Sequence, residues 1–221
     1  TIYFEDVLIN KSTNTTSLDK EVFRIGKDAV VHLVLKGNNQ LYSGKDTPGI
    51  IVPEGAKLDI STDPSDPKAS LTVNSAEDGS AAGIGGGPAE GDASIGEITI
   101  NSGTINALGR GDYPGIGTLN GTGHVIVNGG VISAEDNLSG SGTGGSKNKA
   151  IQCGTISSTP GEGHFSIIKG SVTGKSDALN ALVSSGKDDV KNFTVYGDVI
   201  LEDKNAGGID WTAVNRILFN T

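Results

Sequence analysis

Five carboxylates stand out in the glycine-rich middle of the chain: Glu77 and Asp78, Asp112, and Glu135 and Asp136. They fall at similar places in a repeated segment. Ser75-Ala76-Glu77-Asp78-Gly79 through Ala82-Gly83-Ile84-Gly85 is followed by Asn106-Ala107-Leu108-Gly109-Arg110-Gly111-Asp112-Tyr113-Pro114-Gly115-Ile116-Gly117, and Ser133-Ala134-Glu135-Asp136 begins a third copy. If the copies stack, carboxylates ~5 Å apart repel one another unless water or a cation screens them. Hard oxygen ligands of this kind suit calcium, with backbone carbonyls and waters completing the shell. The plain counterpart is a solvated acidic edge that keeps the chain soluble. The spacing matches neither the Gly-Gly-x-Gly-x-Asp calcium repeat nor an EF-hand loop.

Arg110 is the single base among residues 76–136, which hold eight acids. Arg110-Gly111-Asp112 spells the tripeptide that integrins read, although three common residues meet by chance in a chain this rich in glycine. Tyr113 follows directly, so Arg110, Asp112 and Tyr113 form a candidate binding group: a cation, an anion and an aromatic face. Tyr42 and Tyr196 are the other tyrosines suited to stack on a sugar ring. The histidines His32, His124 and His164 are scattered, and Cys153 is alone, so no zinc spacing exists. Cys153 reads as a small buried apolar residue. Gly83, Gly85, Gly86 and Gly87 lack the Lys-Ser/Thr and helix start of a phosphate loop.

The elements that must position these residues are short strands. Ile98-Thr99-Ile100-Asn101-Ser102-Gly103-Thr104-Ile105 matches Val125-Ile126-Val127-Asn128-Gly129-Gly130-Val131-Ile132. Alternation turns Ile98 and Ile100 inward and Thr99 and Asn101 outward. Ile50, Ile84 and Ile116 mark a second anchor, with Ile151 a degenerate fourth. Ala76, Ala107 and Ala134 mark a third. Units of roughly 27–35 residues, each with two or three strand runs closed by Gly or Asn, are what a parallel β-solenoid requires. With strands ~4.8 Å apart, six to eight turns would build a rod roughly 30–40 Å long. An antiparallel sandwich would also accept short strands with regular turns, but it does not predict near-identical copies.

Composition agrees. Glycine accounts for 34 of 221 residues, aromatics for 5%, and methionine is absent. Stacked strands satisfy one another's backbone groups and need few large side chains. The net charge of -9 argues against nucleic acid, which needs clustered Lys and Arg. No apolar run approaches the ~20 residues of a membrane helix. The chain opens at Thr1-Ile2-Tyr3-Phe4 without a methionine, which leads us to expect a mature piece of a longer exported chain.

Gly83-Ile84-Gly85-Gly86-Gly87 and the following Ile-Thr-Ile-Asn-Ser-Gly run resemble the repeats of large secreted, adhesin-like surface proteins of anaerobic gut bacteria. Val31–Leu41 and Ile51–Ile60 resemble the same proteins, and the pattern is similar to carbohydrate-binding β-helix proteins of the pectate-lyase fold. The resemblance covers roughly residues 20–135. It implies a bacterial, extracellular or cell-surface protein that is adhesive or binds polysaccharide. Polysaccharide lyases of this fold use an acidic calcium site with a Lys or Arg base on an adjacent turn. Arg24 and Arg216 have no evident place beside the acids; Arg110 does.

The expectation is therefore an all-β, right-handed parallel β-helix spanning residues 1–221. Residues 1–20 form its opening strand and loop, and residues 205–221, with Trp211, form a C-terminal cap that covers the last exposed edge. The function expected is a non-catalytic structural or adhesin-like surface module that binds polysaccharide, or a host glycan or protein. No catalytic residue and no cofactor is assigned, calcium being the one candidate ion. The alternative is a β-helix polysaccharide lyase or glycoside hydrolase. Ice binding is disfavoured by the lack of regular Thr-x-Thr rows.

Overall fold

A computed structural model describes residues 1–13, 20–88, 94–111, 113–119, 121, 123–137, 151–152, 164–167, 170–174, 193–196, 199–203 and 218–220. Side chains are described as far as residue 134 and at Ile151. The first three strands are β1 (Ile2–Glu5), β2 (Leu8–Asn10) and β3 (Phe23–Arg24). They are followed by β4 (Val30–Lys36), β5 (Asn38–Tyr42) and β6 (Ile50–Ile51), then by β7 (Lys57–Thr62), β8 (Ser70–Asn74) and β9 (Ile84–Gly85). A fourth triplet is β10 (Glu97–Ile100), β11 (Thr104–Arg110) and β12 (Ile116–Gly117). A fifth is β13 (His124–Val127), β14 (Val131–Asn137) and β15 (Ile151–Gln152). Beyond it lie β16 (His164–Ile167), β17 (Gly170–Gly174), β18 (Phe193–Tyr196), β19 (Val199–Asp203) and β20 (Leu218–Asn220).

Every pairing between these strands is parallel. The first sheet runs β1-β4-β7-β10-β13-β16-β18-β20, the second β2-β5-β8-β11-β14-β17-β19, and the third β3-β6-β9-β12-β15. Through β15, consecutive strands visit the three sheets in rotation, and each strand pairs with the one three elements on. The fold is thus all-β with three parallel sheets, an arrangement compatible with a parallel β-helix. The antiparallel sandwich does not describe it. Among the described residues no helix is long and apolar enough to cross a membrane.

The register stacks like on like. Leu33, Ile60, Ile100 and Val127 form one inward column, each fully buried. Leu71, Ile105 and Ile132 form another. Ile50, Ile84, Ile116 and Ile151 form the third sheet's column, all within 1% of full burial. Alternation explains the first two: β8 and β11 switch between buried and half-buried positions along their whole length. Burying one such aliphatic side chain contributes about 1.5–3 kcal/mol. At the β1 end, Phe4 and Phe23 meet edge to face at 5.4 Å and cover the core with aromatic surface.

The corner between the first and second sheets needs a special backbone. Asp6, Gly37, Gly103 and Gly130 all take positive φ there. This corner splits the expected opening strand Thr1–Asn10 in two, because Asp6 at φ 52 cannot continue a strand. Asn39, fully buried, fastens the corner across three turns of chain. Its Oδ1 accepts Val7 N at 3.0 Å, and its Nδ2 donates to Lys36 O at 3.1 Å and Ser70 O at 3.2 Å.

The alanine alignment needs correction. Ala107 pairs with Ala134, as the repeats imply, but its other neighbour is Val73 and not Ala76. Ala76 lies past the end of β8, in a turn with its own internal hydrogen bond, Gly79 N to Ala76 O at 3.0 Å. The capping segment 205–221 falls outside the described residues except for β20, which pairs with β18.

Two substitutions test this architecture. Gly85 holds φ 137 beside Gly117 at φ 125, and a Cβ on Gly85 would overlap the Gly117 carbonyl oxygen. Gly85→Ala should therefore cost at least ~2 kcal/mol in urea denaturation. Asn39→Leu matches the apolar column above it but leaves Val7 N without its acceptor and takes a donor from Lys36 O and Ser70 O, so it should lower stability by about 1–3 kcal/mol. A neutral result for Asn39→Leu would mean that the corner is held by something else.

Candidate functional site

Of the sequence-predicted residues, Glu77 and Asp78 lie in the corner that follows the second sheet, and Arg110, Glu135 and Asp136 lie at the ends of its strands β11 and β14. Chain leaving β8 makes the tight turn 75–80, with Glu77 and Asp78 exposed at its tip. Asp78 Oδ2 stands 3.8 Å from Lys45 Nζ, on the loop one turn earlier. At this distance between two exposed groups the pair contributes little, about 0–1 kcal/mol.

One turn later the chain runs straight through β11 to Arg110. The Arg110 backbone then pairs with Ala81, exchanging hydrogen bonds of 2.9 and 3.2 Å. In the next strand Glu135 pairs with Leu108, Asp136 with Gly109 and Asn137 with Arg110. Leu108 in turn pairs with Asn74. The register therefore brings Glu135 level with Asn74, not with the turn that carries Glu77 and Asp78. The side chains of Glu135 and Asp136, and all of Asp112, lie outside the described residues. Among the described residues no three His, Cys, Asp or Glu side chains converge as a metal site.

Tyr113 is only 4% exposed, so its ring presents no face to a ligand in this structure. Arg110 is half-buried, and its Nε and Nη1 are covered without a hydrogen-bond partner among the described residues. Ser75 Oγ, at the start of the neighbouring turn, is in the same condition. Covered donors without acceptors are destabilising, and more so on a cation.

A second group gathers at the corner leading into the first sheet, and sequence motifs gave no sign of it. The turn before β7, the segment Ile95–Glu97 and the residues Gly123 and His124 line a cleft of about 330 Å3. Its titratable members are Glu54, Lys57, Glu97 and His124. Lys57 Nζ donates to Glu97 Oε1 at 3.2 Å across 40 residues of chain, and Glu97 pairs with both Lys57 and His124 in the strand register. Glycines make the room: Gly96 lies on the Ala56 backbone and Gly123 on Ile95. Carboxylates, an ammonium and an imidazole around one cleft can donate and accept protons or grip a polyhydroxyl ligand. Only the register unites them, which is why a search for short motifs passes over them.

Comparison with known protein families, curated proteins and solved structures finds no match to this chain.

Arg110 gives a direct test. Arg110→Met keeps the apolar stem and removes the unpartnered nitrogens, so it should leave the urea midpoint unchanged or raise it. A loss of more than ~2 kcal/mol would show that the guanidinium has an acidic partner.

Proposed function

We propose that this chain is an extracellular, cell-surface module of a bacterial protein, structural and adhesin-like, that binds polysaccharide without transforming it. In this reading the three sheets are the sides of a right-handed parallel β-helix, part of a larger exported chain, with residues 205–221 as its cap. The observation that carries the proposal is the rotation of strands through three parallel sheets with like residues in columns. A rod of this kind repeats the same surface groups at each turn, and a repeating polymer is the ligand best able to use them all. Host glycans or surface proteins are the partners of an adhesin so built, and calcium is the ion its carboxylates would recruit, with Glu77 and Asp78 forming a group separate from Glu135 and Asp136.

The cleft around Glu54, Lys57, Glu97 and His124 favours a second reading, a polysaccharide lyase or glycoside hydrolase of the β-helix class. Both reactions need an acid and a base near the scissile bond, and this cleft holds both types of group.

A glycan array run with and without calcium, followed by incubation with each bound polysaccharide, separates the readings. The module should bind at least one glycan and release neither reducing ends nor unsaturated sugars. Product release abolished by Glu97→Gln would establish the enzyme instead. Binding to no glycan in either condition would remove the binding role and leave a scaffold.

A further inference from the structure

The outward faces of the first two sheets differ in chemistry. On the first sheet, adjacent strands present two ion pairs, Lys36 with Glu5 at 2.6 Å and Lys57 with Glu97 at 3.2 Å, and between them His32 Nδ1 lies 2.8 Å from Asp59 Oδ2. Each pair is also a register pair. On the second sheet, the outward positions of β5, β8 and β11 carry no charge until Arg110, at the far end of β11. For an acidic chain in which 19% of residues are charged, that is a marked segregation.

What the second face carries across β5, β8 and the first half of β11 is a grid of hydroxyls and amides, bordered by the exposed apolar side chains of Leu8 and Val131. One column runs Asn38, Ser70, Thr104 and ends on Val131, and the next starts at Leu8 and runs Gln40, Thr72, Asn106, Ser133. Neighbouring strands are ~4.8 Å apart and alternate residues along a strand ~6.6 Å apart. A third column runs Asn10, Tyr42, Asn74 and Leu108, with Glu135 next in register; Tyr42 and Leu108 are half-buried. The Tyr42 hydroxyl donates to Gln40 Oε1 at 2.9 Å, which holds the ring against the sheet. Ser70 Oγ donates to Asn38 Oδ1 at 3.0 Å, leaving the Ser70 oxygen to accept and the Asn38 amide to donate outward.

We propose that this outer face of the second sheet is the binding surface for a linear, uncharged polysaccharide, laid along the stacked strands with one sugar ring on Tyr42. The inference rests on the glycan-binding reading above and adds the surface and the charge class. Uncharged donors and acceptors in repeating columns match hydroxyls that repeat along a polymer. Tyr42 supplies the apolar face that a sugar ring needs, with its polar tip already satisfied. A carboxylated or sulfated chain would find no cation on β5 or β8, and would be repelled by the net charge of -9.

Affinity electrophoresis of the full chain tests this. Native gels would contain a soluble β-glucan, a galactomannan, starch or pectate. Migration should slow in at least one neutral gel, and added salt should not change it. Tyr42→Ala and Asn106→Lys should each weaken that retardation about tenfold or more, while Asp59→Asn on the first sheet leaves it unchanged. Circular dichroism and urea midpoints check that the variants fold. Hydrogen exchange on the unaltered chain adds an independent readout, with protection gained in β5, β8 and β11 on binding. Retardation by pectate alone, or retardation untouched by both second-sheet variants, overturns the surface while leaving glycan binding in place. Association of the chain with itself through this face, with no polysaccharide retained, overturns it as well. No retardation in any gel overturns both this inference and the glycan-binding reading.

Discussion

A strand in a parallel sheet can satisfy its backbone only through neighbours that run the same way, and such neighbours must be reached by a crossover. Through β15 the crossover consists of two more strands, each belonging to its own sheet. Every turn of chain therefore depends on the turn before it, and the corners must repeat closely enough to keep the strands in register. The corner between the first and second sheets shows what this requires. A residue with positive φ turns the path, and the buried amide of Asn39 ties Val7, Lys36 and Ser70 together beside the backbone bonds that cross the corner. A one-residue slip would turn every inward aliphatic outward.

Because the register is strict, the surface inherits the columns of the core. Side chains that are far apart in the chain stand ~4.8 Å apart on adjacent strands. On the first sheet this converts scattered charges into cross-strand pairs; Lys36 is held protonated to higher pH than usual by its hydrogen bond to Glu5. Such exposed pairs add little stability one by one, yet opposite charges in register disfavour slipped pairings that would bring like charges together. The second sheet has no such pairs on β5 and β8 and presents hydroxyls, amides and Tyr42. The outer faces of the two sheets are thus chemically distinct, and the cleft beside β7 and β10 adds a third environment.

Much of this layout can be read along the chain. The pairs Ile84 with Ile116 and Ile100 with Val127 lie beside each other, as the repeated runs imply, because copies that share their turn residues enter their strands at the same point. Ala107 with Ala134 follows for the same reason. Ala76 does not join them. The chain between β8 and β9 has a tight turn of its own, so residues that match by eye are displaced by three positions in space. The acids Glu77 and Asp78 move with Ala76, away from the level of Glu135. Tyr113 reads as an exposed aromatic in a polar turn, but it is buried.

By itself the amino-acid sequence determined the all-β class, the stacking of like residues and the inward aliphatic columns, because alternation and turn residues are local properties repeated from copy to copy. Tertiary structure alone decided which neighbours meet across unequal connections. Lys57 and Glu97 are 40 residues apart, whereas Asn101 and Asn128 are 27 apart, yet each pair touches. Loop length is free to vary so long as the next strand returns to its ladder, so contact distance in the chain carries no constant signal. The cleft, the charged face and the neutral face all follow from that return, which backbone hydrogen bonding enforces and no short motif encodes.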